Sequence, residues 1–418
     1  VKNKRTPDIR FQESTENWKQ CKIVDLSEET FGGGTPKTTI KEYWNGEIPW
    51  IQSSDLHEHQ VSDVFAKKKI AEKGLQNSAT KLIPKNSIAI VTRVGVGKIA
   101  LMQFEYATSQ DFLSLSNLKV NEWFGVYSLY NKLQKELHNV QGTSIKGITK
   151  NELLDKKINI PTNLEEQNKI GIFFKNLDQT ITLHHQELDV LKQTKQGFLQ
   201  KMFPKEGKSV PEIRFPGFTG EWEQRNLGDC ISYIKGFAFK SEDYKSEGVR
   251  LVRVSDLSSN EIKFDNEKIF LDREYENDYT KYKLNIGDII ITTVGSKIEL
   301  KESAVGRPII VNNENEGLLN QNLVKISPLN GYNSYFIYQN LLQKRYMNYI
   351  GSIERGNANQ ANIAISDLWL YKVYLTSNEE QKQIGNFFKQ LDDTITLRQR
   401  ELDALKEMKK AFLQKMFV

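Results

Sequence analysis

Ile170 to Phe203 reads IGIFFKNLDQTITLHHQELDVLKQTKQGFLQKMF, and Ile384 to Phe417 reads IGNFFKQLDDTITLRQRELDALKEMKKAFLQKMF. Aligned without gaps, 23 of the 34 positions are identical, where ordinary composition gives roughly two or three by chance. The chain therefore contains a duplication. Both copies read as helix, with a stripe recurring at alternating spacings of about four and three. In the first copy the stripe is Leu177, Ile181, His184, Leu188, Leu191, Lys195, Phe198 and Met202. In the second it is Leu391, Ile395, Arg398, Leu402, Leu405, Lys409, Phe412 and Met416. Two seams interrupted by polar residues at matching positions predict a coiled coil formed within one chain. An amphipathic helix lying on its own domain is the simpler alternative. Within each tail the expected order is a short helix, carrying Ile170, Phe173, Phe174 and Leu177 in the first copy, and then the long one.

Upstream of the tails the repeat continues at lower fidelity. Pro7-Asp8-Ile9-Arg10-Phe11 recurs as Pro211-Glu212-Ile213-Arg214-Phe215, and Trp18 as Trp222. The run Trp50 to Leu56 matches Leu251 to Leu257, and Ser87 to Thr92 matches Asp288 to Thr293. Asn163 and Ser377 stand at N-cap positions with Glu166 and Glu380 at N3, the spacing of a capping box. The β-branched runs Ser87 to Thr92 and Asp288 to Thr293 predict strands. Val126 to Leu137 and Tyr335 to Tyr349 predict helices, and Gly32-Gly33-Gly34-Thr35-Pro36 a loop. These landmarks divide the chain into a first body (1–160), a helical spacer (161–203), a linker (204–210), a second body (211–375) and a second spacer (376–418).

The linker, Pro204 to Val210, spans at most about 25 Å, whereas a helix from Leu177 to Phe203 is roughly 40 Å long. The second body must begin near the far end of the first long helix, and its own helix most easily runs back. The expected fold class is α+β: two mixed α/β bodies separated by two long helices in an antiparallel coiled coil, with pseudo-two-fold symmetry. Bodies about 40 Å apart suit half-sites one turn of B-DNA apart, about 34–36 Å. Because the bodies differ, the half-sites should differ.

Bulk properties permit this reading without requiring it. Lys plus Arg is 58 against 53 Asp plus Glu, a net charge of +5, with a pI near 8.8. That balance is milder than the usual nucleic-acid footprint. Hydrophobic content of 38% and charged content of 27% suit a globular protein. No apolar run approaches the roughly 18 residues of a membrane helix. The first ten residues lack a signal-peptide apolar core, so a cytoplasmic location without membrane contact is expected. Two cysteines, Cys21 and Cys230, form neither a disulfide framework nor a zinc cluster.

The sequence resembles the specificity subunits of Type I restriction–modification systems over nearly its whole length. The resemblance is carried by Pro211-Glu212-Ile213-Arg214-Phe215-Pro216-Gly217-Phe218, Gly33-Gly34-Thr35-Pro36, Ile48-Pro49-Trp50-Ile51, Asn320-Gln321-Asn322, and tails beginning Glu165-Glu166-Gln167 and Glu379-Glu380-Gln381. It implies that each body is a target-recognition domain for one half of an asymmetric bipartite duplex, with the helices setting the gap. It further implies two methyltransferase subunits, which modify adenine at N6, and two ATP-driven restriction subunits. S-adenosylmethionine, ATP and magnesium would then be bound by those partners, and no cofactor by this chain. In the first half Ser109-Gln110-Asp111 stands in place of Asn320-Gln321-Asn322, and the second half lacks Gly-Gly-Thr-Pro.

Catalytic motifs are absent or incomplete in the sequence. Gly95-Val96-Gly97-Lys98 is not a phosphate loop, because Thr92 stands where the first Gly belongs and Ile99 where magnesium needs Ser or Thr. His57-Glu58-His59 has no third metal ligand and reads as a polar turn. No Asn-Pro-Pro-Tyr or Asp-Pro-Pro-Tyr stretch, used by adenine methyltransferases to hold a flipped base, occurs. The chain is therefore expected not to be an enzyme and to hold no metal. Base reading calls for Arg or Lys against guanine and Asn or Gln against adenine, and phosphate contacts for basic and hydroxyl groups. On that basis the candidate DNA contacts are Thr35, Lys37, Gln52, Ser53, Arg93, Lys98 and Lys146 in the first body. In the second they are Lys235, Lys240, Arg253, Ser255, Lys297, Arg307, Arg355, Asn357, Asn359 and Gln360. Two competing readings are a methyltransferase or nuclease with unfamiliar motifs, revived by methyl transfer from the isolated chain, and a protein-binding scaffold, favoured by absence of any duplex preference.

Overall fold

The computed structural model describes residues 6–12, 14, 16–139, 147–258, 261–263, 266–297, 304–329, 331–357 and 360–418. The chain divides into two compact units, residues 1–186 with 399–418, and residues 187–398.

In chain order the first unit holds β1 (Lys19–Lys22), β2 (Ser27–Gly32), β3 (Trp44–Ile51), β4 (Lys68–Ile70), α1 (Glu72–Gln76), β5 (Ser87–Val91), β6 (Ile99–Met102), β7 (Ala107–Thr108), β8 (Phe112–Leu118), α2 (Glu122–Asn139), α3 (Lys150–Asp155), β9 (Lys157–Ile160) and the first part of α4 (Leu164–Lys201). Its sheets have the orders β2-β8-β5-β6, β4-β3-β7 and β1-β9. All five residues of β5 are buried. Ile88 and Ile90 enter one apolar cluster and Ala89 and Val91 another, the period-two division of a strand covered on both faces.

The second unit holds the end of α4, then β10 (Glu223–Asn226), β11 (Ile231–Lys235), β12 (Val249–Val252), β13 (Ile269–Leu271), α5 (Tyr275–Asp278), β14 (Ile289–Thr292), β15 (Val294–Gly295), β16 (Pro308–Ile310), β17 (Leu318–Leu319), β18 (Leu323–Pro328), α6 (Ser334–Leu341), α7 (Lys344–Ile353), β19 (Arg355–Asn357), β20 (Gln360–Asn362), α8 (Ile365–Leu368), β21 (Lys372–Leu375) and α9 (Asn378–Lys415) through residue 398. The orders β11-β18-β14-β16, β13-β12-β17 and β10-β21 repeat those of the first unit, and β15-β20-β19 is an additional sheet.

Two helix expectations are corrected. Each tail is one uninterrupted helix, Leu164–Lys201 and Asn378–Lys415, not a short helix followed by a long one. Nothing in either sequence breaks the helix before Leu177, so the apolar positions shift from body contacts to seam without a stop. The stretch Tyr335 to Tyr349 forms two helices, α6 and α7, with Asn333 and Gln343 at their N-caps.

Within each unit the long helices pack with opposed directions. In the first, Phe173 meets Phe412 at 5.1 Å between ring centroids, and Asp178 meets Lys409 at 2.6 Å. In the second, Phe198 meets Phe387 at 5.1 Å and Lys195 meets Asp392 at 2.5 Å. As the α4 number rises the α9 number falls, which makes the coiled coil antiparallel. Every residue of both stripes, from Leu177 to Met202 and from Leu391 to Met416, is buried or half-buried.

The body is fastened to its helix by one joint, built twice. Asn163 and Ser377 do cap their helices, through Glu165 N–H and Glu380 N–H. The N3 glutamates, however, are not capping-box arms. Glu166 accepts a bidentate fork from Arg10 at 2.6 and 2.8 Å, and Glu380 the same fork from Arg214 at 2.6 and 2.8 Å. A guanidinium matches two carboxylate oxygens at once, which outcompetes a single backbone N–H. The next residues, Gln167 and Gln381, accept from Asn121 N–H and Asn333 N–H, where the body's own helices begin. Gly171 and Gly385 sit mid-helix because a Cβ there would fall 2.7 Å and 2.1 Å from the side-chain oxygens of Asn121 and Asn333. Lastly Tyr127 donates to Asp178 at 2.7 Å and Tyr335 to Asp392 at 2.9 Å, the carboxylates already paired with Lys409 and Lys195. Burial, reinforced by the neighbouring carboxylate, pushes both phenols well above their ordinary range, so each remains an O–H donor.

Ile9 N–H donates to the Lys415 carbonyl at 3.0 Å, and Ile213 N–H to that of Lys201 at 2.9 Å. The segment around Ile213 is thus strapped to the end of α4 as that around Ile9 is to the end of α9, with peptide 204–210 leading into it. In that peptide the stretch from Lys205 to Lys208 is exposed. A permutant beginning at Lys208, with Val418 joined to Lys2 by a few residues, should fold with an unfolding temperature close to the parent's, because a turn bond is all it breaks. Insoluble permutant protein would contradict the equivalence of the two straps.

Candidate nucleic-acid interface

In the first unit the strand ends on one side converge. Beyond β2 the chain crosses under the β7–β8 turn: a Cβ on Gly33 would fall 1.9 Å from the Ser109 carbonyl oxygen. In the second unit a Cβ on Gly236 would fall 1.9 Å from that of Asn320. Gly34 N–H bonds Thr108 O, and Phe237 N–H bonds Leu319 O. The two loops are therefore equivalent despite the missing Gly-Gly-Thr-Pro, since what the geometry requires is one glycine at the crossing.

Backbone bonds gather the other loops around this crossing. Ser109 N–H reaches Ile51 O, Thr92 N–H reaches Asp111 O, and Ile148 N–H reaches Thr92 O. Asn320 N–H reaches Val252 O, Thr293 N–H reaches Asn322 O, and Ile363 N–H reaches Thr293 O. So Thr35, Lys37, Gln52, Ser53, Arg93 and Lys98 share one loop cluster. Lys235, Arg253, Ser255, Lys297, Arg355, Asn357 and Gln360 lie on the equivalent cluster of the second unit. Lys146 and Asn359 lie outside the described residues.

Several candidates are already engaged. Arg253 forks onto the buried Asp256 at 3.0 and 3.1 Å, so its guanidinium braces the loop. Lys98 donates to Ser53 O at 3.4 Å. Lys240 pairs with Glu242 at 3.1 Å and Arg355 with Asp367 at 2.7 Å, both at the surface. Arg307 is half-buried beside β16. Lys37, Ser255, Asn357 and Gln360 are exposed, Asn357 turning the β19–β20 hairpin by accepting Gln360 N–H at 3.0 Å. His57, Glu58 and His59 are exposed, and no group of three metal-binding side chains occurs among the described residues.

Sequence reasoning passed over Gln110 and Gln321, exposed amides at the centre of the two clusters. Their signal was available: they are the shared member of Ser109-Gln110-Asp111 and Asn320-Gln321-Asn322. Thr35 donates to Gln110 at 2.5 Å. The place of Gly34 is taken in the second unit by Phe237, which is 36% exposed and packs 5.0 Å from Tyr279.

The family model described as the Type I restriction modification DNA specificity domain matches twice, over residues 15–193 and 219–407. The chain belongs to this Type I specificity family. Among curated relatives, the MjaVIII specificity subunit of Methanocaldococcus jannaschii is 22% identical over 412 residues, 95% of this chain and 91% of that one. The MjaIX specificity subunit of the same organism is 26% identical over 262 residues, and the chain spans only 58% of its length. The EcoR124I/EcoR124II specificity subunit of Escherichia coli is 30% identical over 184 residues, 42% of this chain and 44% of that one. Among solved structures, the Type I S subunit from M. genitalium superposes with a TM-score of 0.64 at 16% identity, covering 99% of each chain. That likeness shows the fold: two α+β bodies and an antiparallel helical pair. As a member of the specificity family, the chain is a DNA-recognition component rather than an enzyme. Among the described residues no helix is long and apolar enough to cross a membrane.

Proposed function

We propose that this specificity protein reads an asymmetric bipartite duplex, one half with each loop cluster, while α4 and α9 set the gap between the halves. One observation carries the reading: the body–helix joint is duplicated nearly atom for atom, whereas the loop side chains at equivalent places differ, as Gly34 differs from Phe237. A constant mount with variable tips is what two independent readers on one frame require. On this reading it directs two methyltransferase subunits to adenine and two restriction subunits to cleavage in the cytoplasm. S-adenosylmethionine, ATP and magnesium are bound by those partners. Leu183 and Leu397, equivalent residues pointing away from the seams at 55% and 56% exposure, support docking of a partner on each unit.

Mapping methylated adenines in a genome carrying this protein and its partners tests the reading. A single interrupted motif with unlike halves is expected, and methylation without an interrupted motif would refute it. On this reading Gln321, exposed in its loop cluster, pairs with an adenine edge in that motif. Its replacement by Ala should relax discrimination at one position by about 1–3 kcal/mol, seen as methylation of duplexes substituted at that base alone. Uniform weakening on all duplexes would instead make Gln321 a backbone contact.

A further inference from the structure

The first unit carries, beside its reading loops, an open groove of about 560 Å³ over the β3–β4 hairpin. Its shape comes from an irregularity in β3. Trp44 and Ile48 both pair with Ile70, so Asn45, Gly46 and Glu47 are looped out, as in a bulge that bends one strand away from its partner. The groove is lined by Thr38, Trp44, Asn45, Lys67, Lys68 and Lys69. Lysines on an edge strand, here Lys68 and Lys69 with Lys67 just before it, ordinarily protect it from pairing. Here they stand over a hollow with a hydroxyl and an amide donor opposite, and two of its walls run into the loop cluster. Lys67 donates to Ser54 O at 3.3 Å and lies 3.9 Å from Asp55, next to Gln52 and Ser53. Trp44 Nε1 donates to Lys37 O at 3.2 Å.

We infer that this groove is a track for the DNA sugar–phosphate backbone, entered from the reading loops of the first unit. The inference rests on the bipartite-reader reading and adds to it a contact surface that carries no sequence information. Lysine, threonine and asparagine are phosphate-binding side chains, and such contacts fix register on a duplex. Lys67 is already engaged with Ser54 O and Asp55, so Lys68 and Lys69, both exposed, are the principal cations of the track. Among the described residues Lys69 pairs with Glu47, at 3.4 Å on the surface, and Lys68 lies 5.8 and 5.9 Å from the ring centroids of Trp44 and Trp50, which hold it in place without neutralising it.

The equivalent hairpin of the second unit argues by contrast. Register places Ile269 and Phe270 where the first unit has Lys68 and Lys69. Of the cations at this hairpin, Lys283 pairs with Glu276 at 2.5 Å and Arg250 lies 3.6 Å from Glu316, while Lys268 alone keeps a lysine of the run, in the place of Lys67. The lysine run is thus reduced from three to one in the second unit, and the track is assigned to the first.

The test titrates the full chain, purified with its methyltransferase partner, against its mapped target and an unrelated duplex over a range of salt. Each phosphate contact contributes about 0.9 to the slope of log affinity on log salt. The K67Q/K68Q/K69Q variant should lose about two to three from that slope on both duplexes, while the methylated sequence stays the same. The K67R/K68R/K69R variant should restore the slope. A glutamine variant that keeps the wild-type slope overturns the inference and leaves the reader intact, as does a folded arginine variant that fails to restore it. Wild-type protein with no preference for the mapped target would overturn the reader itself and the track with it.

Discussion

A chimera that takes residues 1–160 from another specificity protein of this family, while keeping α4, the second body and α9, is expected to methylate a motif changed in one half only. The joint explains why this should work and what it demands. The incoming body must supply the equivalents of Arg10, Trp18, Asn121, Phe124 and Tyr127, because these touch Glu166, Gln167, Phe174, Asp178 and Phe417. The loops are under no such constraint. A mismatched base pair costs about 1–3 kcal/mol, roughly additively. Three changed base pairs would then shift preference by about 3–9 kcal/mol, a complete switch of half-site in a methylation map. If both halves change together, the two clusters do not read independently.

Replacing Glu166 with Ala should destabilise the first unit by about 3 kcal/mol, at the lower end for one partner of a buried ion pair because Arg10 keeps some exposure. Glu166 is 3% exposed and Arg10 13%. The substitution strands the guanidinium and also removes the acceptor of the buried Trp18 indole, 3.2 Å away. For a unit of this size each kcal/mol lowers the unfolding temperature by about 2–4 °C, so a drop of roughly 6–12 °C is expected for that unit's transition. Glu380→Ala should act alike on the second unit through Arg214. An unchanged transition for Glu166→Ala would mean that the strap from Pro7 to Phe11 contributes nothing to holding the body on its helix.

The helical frame was legible in the sequence because a seam is a local pattern. The stripe from Leu177 to Met202 needs no knowledge of the partner to be recognised, and its breaks at His184 and Lys195 recur at Arg398 and Lys409. What those breaks do was not legible. Lys409 and Lys195 meet aspartates on the other helix, and Tyr127 and Tyr335 reach the same aspartates from the bodies. Only the folded register brings these groups together. Glu166 shows the opposite error, in which a sound local rule lost to Arg10, 156 residues away in sequence. Around the loop clusters, choice by side-chain chemistry selected Arg253 without seeing Asp256 three residues on. The same reasoning passed over Lys67 to Lys69, since a charge run in a strand looks like a solvated face until the looped-out residues of β3 hollow the surface beside it.

The division of the long helices between units carries a consequence for synthesis. The second unit is one continuous stretch, residues 187–398, while the first needs residues 399–418 to complete its core, including Leu413, Met416 and Phe417. A ribosome therefore finishes the second unit before the first, although it starts with the first. At about 5–20 residues per second, the first body waits more than ten seconds after its own last strand for the aromatic rings that close it. During that interval the faces of Trp18, Phe124 and Phe174 that meet Phe417 are uncovered, so the portion made earliest is the one most dependent on protection while the chain emerges.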